Sequence, residues 1–347
     1  MLNSLVTDFR RSAKRVALLL ALLAVLPLPV SAQCLTKNAL RGVNIAGAEF
    51  NSGKLPGVLN KDYLYPDNRD LDYAVAVGAN VIRLPFRWER LQPELMGKFD
   101  AFELGNLTRV VKAANSRNLC VILDVHNYGE FGKYPIGSNE VPVTAFHDLW
   151  RRLAAKFTDP DNTIFGLMNE PAKMPIALWA TTAQSTILEI RKENSRNIIL
   201  APAGRWSGAH EWFKKFDGVS NAEAFSKLND PEQRTWIELH QYADTYFSGT
   251  EKTCINPDRF KKIFTPIAAW AQSSNIKFFL GEFGVPQSEN CLAGLTEILE
   301  QVADTSVWSG WTYWAAGRWW GDYPMSIQPK DGVEPPQVRI LRKYIPD

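Results

Sequence analysis

Eight short apolar runs, each leading into polar or aromatic residues, recur along the chain at intervals of 34 to 44 residues. They begin near Arg41 (RGVNIAG), Ala79 (ANVIRLPF), Leu119 (LCVILDVHNY), Thr163 (TIFGLMNEP), Asn197 (NIILAPAG), Thr235 (TWIELHQY), Ile276 (IKFFLGEFG) and Gly310 (GWTYWAAG). Each has the length and continuous apolar character of a strand buried on both faces. Amphipathic patterns between them predict helices over 69–77, 104–117, 143–157, 176–193, 257–273 and 292–302, with a weaker one at 221–228. Eight strands alternating with helices predict a single-domain α/β fold, the (β/α)8 barrel. A doubly wound open sheet is the alternative, but even spacing suits closure, and no Gly-rich dinucleotide turn follows the first run.

Residues 1–32 stand outside this pattern. Arg10, Arg11, Lys14 and Arg15 precede an almost wholly apolar stretch, 16–30, and Val30-Ser31-Ala32 offers small residues for cleavage. This is the pattern of a secretory signal peptide. The stretch is short for a membrane span and is broken by Pro27 and Pro29, and Gln33 stands where a lipidated Cys34 would need a small residue. The expectation is an exported protein, extracellular or periplasmic in a Gram-negative cell, with a catalytic domain over 33–347 and no membrane attachment after cleavage. Losing the leader removes four of 39 basic and one of 37 acidic residues, so the formal charge goes from +2 to about −1. Such a balance argues against nucleic acid or anionic lipid as a partner. All twelve Trp fall in the mature chain; aromatic rings stack on sugar faces, although core packing also accounts for Trp.

In a barrel of this kind, function sits at the C-terminal ends of the strands. Those ends carry Glu49, Arg83, His126, Asn127, Tyr128, Asn169, Glu170, Arg205, Trp206, His240, Tyr242, Glu282 and Trp314. Glu170 and Glu282, on the fourth and seventh runs, face each other across the mouth. Glycosidic cleavage requires such a pair, one as proton donor and one as nucleophile or base. Arg83 beside one carboxylate would keep it ionised, and mutual repulsion favours a proton on the other. Pro171 is expected to stop the fourth strand and fix the backbone just past Glu170. There is no G-x-S-x-G elbow, P-loop, H-E-x-x-H or paired C-x-x-C. With four unclustered His, of which His147 falls inside a predicted helix, neither a metal nor another cofactor is expected.

The stretches Gly42–Gly47 (GVNIAG), Arg83–Trp88 (RLPFRW), Asp124–Tyr128 (DVHNY) and Gly166–Pro171 (GLMNEP) resemble glycoside hydrolase family 5 enzymes of the cellulase type. So do His240–Asp244 (HQYAD), Gly281–Gly284 (GEFG) and Trp314–Gly317 (WAAG), and all seven run in the family's order through the mature chain. The resemblance implies a retaining endo-β-1,4-glucanase with Glu170 as acid/base and Glu282 as nucleophile. It implies that Arg83 supports Glu282 and that Asn169 bonds the 2-hydroxyl of the sugar under attack. His126 and Asn127 would contact that sugar, Trp314 would be its platform, and His240 and Tyr242 would orient the carboxylates. Trp206, with Trp212, Trp319 and Trp320, is a further subsite candidate. The expected partner is a β-glucan polysaccharide or oligosaccharide bound by a monomer. Alternatives are a relative acting on mannan, xyloglucan or mixed-linkage glucan, and a barrel that binds β-glucan without cleaving it.

The barrel reading also pairs the four cysteines, which an oxidising compartment would join. Cys34 precedes the first strand and Cys120 opens the third, so both belong at the bottom; Cys254 and Cys291 follow the sixth and seventh, near the top loops. A bond from top to bottom would exceed disulfide reach, so Cys34–Cys120 and Cys254–Cys291 are expected.

Overall fold

The computed structural model describes residues 34–36 and 39–345; the expected leader, 1–32, lies outside them. Eight parallel strands close into a barrel in sequence order: β1 (Leu40–Ile45), β2 (Val81–Phe86), β3 (Cys120–Val125), β4 (Thr163–Gly166), β5 (Ile199–Pro202), β6 (Thr235–His240), β7 (Phe278–Glu282) and β8 (Trp308–Ala316). Closure is made by β8 pairing with β1 from Leu40↔Gly310 to Ile45↔Ala316. A main helix follows each strand: α1 (Asn68–Val77), α2 (Ala101–Asn115), α3 (Val143–Lys156), α4 (Ile176–Lys192), α5 (Asn221–Phe225), α6 (Asp258–Ser274), α7 (Glu289–Gln301) and α8 (Pro336–Lys343), with a further short turn of helix, Trp88–Leu91, ahead of α2. The fold is the expected (β/α)8 barrel.

Local sequence fixes the helix ends. Asp67 and Asp70 form a capping box at the start of α1, and Gly78 ends that helix with φ 98°. Asp100 accepts from the Phe102 and Glu103 amides at the start of α2. Helix α8 is not among the expected helices, because Pro335-Pro336 reads as a breaker; Pro336 occupies the first helical turn, where its missing N–H costs nothing. A two-residue hairpin, Glu130–Phe131 with Tyr134–Pro135, also escaped notice, being too short to show a period.

Alternation along the strands separates two apolar layers. Leu40, Val81, Cys120, Ile122, Ile164, Leu200 and Phe279 point inward and, with Cys34, form a packed floor. Their neighbours, including Ile82, Leu84, Val121, Leu123, Ile237 and Leu239, point outward into the helix layer. Above the floor the interior turns polar, with Asn44, Arg83, Asp124 and Glu238 all fully buried. Cys34 bonds Cys120 (Cα–Cα 5.6 Å) at the floor, and Cys254 bonds Cys291 (5.3 Å) beside α7.

The fourth strand departs from expectation. It ends at Gly166, well before Pro171. Hydrogen bonds from Leu167 N to Leu200 O and Asn169 N to Val125 O carry the backbone on toward the mouth. Glu170 then takes a left-handed conformation, φ 40°, which is rare and costly outside glycine. No helix among the described residues is long and apolar enough to cross a membrane.

Candidate active site

Simple alternation on β7 would send Glu282 outward. Phe279 points inward and Leu280 outward, and Gly281 faces inward, where a Cβ would strike the Glu238 carboxylate. A register shift against β6 resolves this: Leu280 pairs with Leu239, but the next partner of His240 is Glu282. The bulge thus turns Glu282 into the mouth beside His240. Its closest oxygen and that of Glu170 lie within 4.8 Å of each other.

Arg83, on β2 and fully buried, organises what lies beneath them. Nη1 donates to Glu282 Oε1 (2.8 Å) and Asn44 Oδ1 (3.0 Å). Nη2 donates to Asn169 Oδ1 (2.8 Å) and lies 3.1 Å from Asp124 Oδ1. Nε lies 3.0 Å from Glu238 Oε1. Three hydrogen bonds and two further close ion pairs thus converge on one guanidinium, three of the partners being carboxylates. Burial opposes the guanidinium charge, but the surrounding carboxylates hold it firmly in place.

His240 Nδ1 lies 2.8 Å from Glu170 Oε1 and 3.7 Å from Glu282 Oε2, while Nε2 lies 3.3 Å from Glu238 Oε1. Burial alone would discharge the ring; Glu282, Glu170 and Glu238 outweigh it and hold the imidazolium up at about 10. Burial raises Glu170 above the ordinary carboxylate range, against the pull of the His240 hydrogen bond. Tyr242 donates to Glu282 Oε2 at 2.6 Å. Glu170, His240 and Glu282 are the described group whose atoms come near enough to share a metal ion.

His126 behaves differently. Burial pushes its pKa down to about 3, leaving it neutral. Asp124 Oδ2 holds its Nδ1 at 2.7 Å, and Tyr128 OH lies 3.3 Å from its Nε2. Its ring stacks with Trp314 (centroids 5.6 Å, interplanar angle 16°). Burial raises Asp124 to about 7 despite Arg83, and Glu49 to about 8.

Beyond Glu170 opens a cleft of about 650 Å³ lined by Tyr128, Lys173, Trp206, His210, Tyr242 and Tyr246. The structure therefore brings Arg83, His126, Asn169, Glu170, His240, Tyr242, Glu282 and Trp314 together, with half-exposed Trp206 in the adjoining cleft. Two candidates sit apart from the mouth. Asn127 is buried, accepts from Trp88 N and donates to Glu89 Oε2 and Glu130 O, so its amide joins two loops. Trp212 is fully buried against Phe225, Trp270 and Phe278 and belongs to the core. Trp320 packs on Phe50, Trp314 and Tyr323 behind the platform. Two buried polar residues join the site without having been singled out by type: Asn44, inside the GVNIAG stretch, and Glu238, two residues before His240; the strand period places both inward, but residue type alone does not mark them as part of the site.

A closed parallel barrel with paired carboxylates at the ends of its fourth and seventh strands defines a glycoside hydrolase. Residues 43–317 match the family described as Cellulase (glycosyl hydrolase family 5). Endo-beta-1,4-glucanase B of Aspergillus niger is 35% identical over 307 residues, covering 88% of this chain and 89% of that protein. A triple mutant of an endo-beta-1,4-glucanase from Xanthomonas axonopodis pv. citri superposes with TM-score 0.86 at 44% identity, covering 88% of this chain and 99% of that one. XacCel5A, solved in complex with cellopentaose, gives TM-score 0.86 at 45% identity, covering 88% and 98%. The chain belongs to glycosyl hydrolase family 5.

Proposed function

We propose that this enzyme is a secreted, retaining endo-β-1,4-glucanase, acting as a monomer on cellulose or related β-glucans after removal of residues 1–32. The observation that carries the mechanism is the separation of Glu170 and Glu282, whose closest oxygens lie within 4.8 Å. Retaining enzymes hold their carboxyls about 5–5.5 Å apart, whereas inverting ones leave about 6.5–9.5 Å for a water.

Glu282, fixed by Arg83 and Tyr242, attacks the anomeric carbon. Glu170, raised by burial, gives its proton to the departing glycosidic oxygen. The ester formed on Glu282 is then hydrolysed by a water that passes its proton to the Glu170 carboxylate, restoring both groups. Asn169 Oδ1 is tied to Arg83, which leaves its NH2 for the 2-hydroxyl of the attacked sugar. Trp314, stacked on neutral His126, supplies that sugar's platform. Export is supported by the leader pattern, and substrate class by the named relatives and the cellopentaose complex of XacCel5A.

Pre-steady-state release of phenol from an aryl cellobioside tests the roles. Glu282→Gln should give no burst and no turnover. Glu170→Gln should give a burst and then stall, because the ester forms but lacks a base to hydrolyse it. A burst from the Glu282 variant alone would reverse the assignment. Loss of carboxymethylcellulose viscosity well ahead of reducing-sugar release would mark internal cleavage.

A further inference from the structure

Glu238 lies on β6 with its side chain inside the barrel, fully buried. One oxygen, Oε1, meets two cations, Arg83 Nε at 3.0 Å and His240 Nε2 at 3.3 Å. The other, Oε2, finds no hydrogen-bond partner among the described residues. Opposite stands Gly281, whose missing side chain makes the room; a Cβ there would collide with the Glu238 carboxylate. A buried carboxylate kept only for stability would be expected to satisfy both oxygens, and an apolar side chain of similar volume would do as well. Here the carboxylate forms its ion pairs with the two residues that hold Glu282 and Glu170.

We propose that Glu238 is a positioning residue that clamps the His240 ring from behind as an imidazolium, so that Nδ1–H stays aimed at Glu170 while the same oxygen braces Arg83 against Glu282. It touches neither reacting carboxylate. Its action is to fix the charge and angle of the ring between them. The groups facing that ring are Glu170 beyond β4, Glu282 on β7 and Glu238 on its own strand, with Arg83, Asp124 and His126 acting from β2 and β3. Of the three carboxylates nearest the ring, Glu238 alone takes no part in bond making, so its charge stays constant through the catalytic cycle. Glu170 and Glu282 each lose theirs at some step. The inference rests on the roles proposed above for Glu170 and Glu282.

Glu238→Gln keeps an oxygen where Oε1 sits and removes the charge at nearly constant volume, with an NH2 in place of Oε2. In the full chain with 15N-labelled histidine, the His240 resonances, assigned by loss in His240→Asn, should report an imidazolium through pH 9 in the wild type. In Glu238→Gln the ring should titrate on the order of one pH unit lower or more, since a unit charge a few ångströms away is gone. The imidazolium favours the ionised form of Glu170. Its loss should therefore move the alkaline limb of kcat/KM to higher pH, and kcat should fall because less of Glu170 is ionised to act as the base in ester hydrolysis. Glu238→Asp, which keeps the charge, should restore most of the ring titration. A folded Glu238→Gln variant with wild-type ring titration and pH profile would overturn the proposal. So would a neutral His240 at pH 7 in the wild type, a measurement that needs no variant to fold. The ring titration involves no turnover, so it would stand even if the roles of Glu170 and Glu282 proved reversed.

Discussion

Replacing Arg83 by Ala strips the counter-charge from Asp124, Glu238 and Glu282 at once, in a site closed to solvent. Removing one partner of a buried ion pair costs about 3–5 kcal/mol, because the charge left behind is uncompensated. Three carboxylates are left here, but protonation relieves part of the repulsion, so that range is the expected cost at neutral pH. At the lower end of the usual scale, about 2 °C per kcal/mol, the melting temperature should fall by roughly 6–10 °C. The dependence on pH is the sharper test. Burial already raises Asp124 to about 7, with Arg83 pulling the other way, so losing Arg83 raises it further. A carboxyl raised in the folded state stabilises below its unfolded pKa, and that contribution is lost as pH rises through the folded value. Glu238, held below its ordinary value by Arg83 against burial, loses in the variant a stabilisation that the wild type has above the unfolded pKa. Both effects have the same sign. The gap in melting temperature between wild type and Arg83→Ala should therefore be small near pH 4 and widen toward pH 8. Calorimetry or circular dichroism across that range measures it. A gap that narrows with rising pH, or one within about 2 °C at pH 7, would refute the picture of a charge-organised interior.

Three further outcomes follow from the geometry. His126, neutral because burial pushes it down to about 3, should on change to Ala lower kcat/KM by about tenfold, the worth of one or two neutral hydrogen bonds, without moving either limb of the pH profile. Trp206→Ala removes a half-exposed ring from the cleft beyond Glu170 and should raise KM for long oligosaccharides about three- to tenfold, the worth of one aromatic contact, with kcat on an aryl cellobioside unchanged. Replacing Cys254 and Cys291 together by Ser opens a loop spanning 37 residues and should lower stability by up to about 4 kcal/mol on the loop-entropy scale, read as a fall in denaturant midpoint, with activity kept below the new transition.

The barrel was legible because each strand announced itself as a continuous apolar run and each helix as a periodic one. The paired carboxylates at the mouth were legible because strand ends in such a barrel converge there. What decided their geometry was not. The bulge that turns Glu282 inward is a register relation between β6 and β7, and nothing in either strand alone encodes it. The left-handed turn at Glu170 likewise has no signal in a residue type that seldom adopts it. Asn127 shows the same limit: beside a motif His, a polar residue looks alike in sequence whether it faces a ligand or bonds neighbouring loops, and its bonds to Trp88, Glu89 and Glu130 are visible only in the fold. Glu238 hid in plain alternation. Its inward position follows from the strand period, but a carboxylate there acquires meaning only when Gly281, on the next strand, leaves it space.

Because Arg83 pairs at once with Glu282, Asn44, Asn169, Asp124 and Glu238, the two halves of the mouth share one anchor. Attempts to adapt the enzyme to acid or alkali by altering residues inside the barrel will therefore shift both carboxylates together. Separate adjustment has to come from above, through neighbours that touch only one of them. Tyr242 is such a neighbour for Glu282, and the loops that line the cleft beyond Glu170 offer the same freedom on the other side. The surface available to selection or design for tuning pH response is thus the rim, while the buried layer beneath it tolerates change only as a unit.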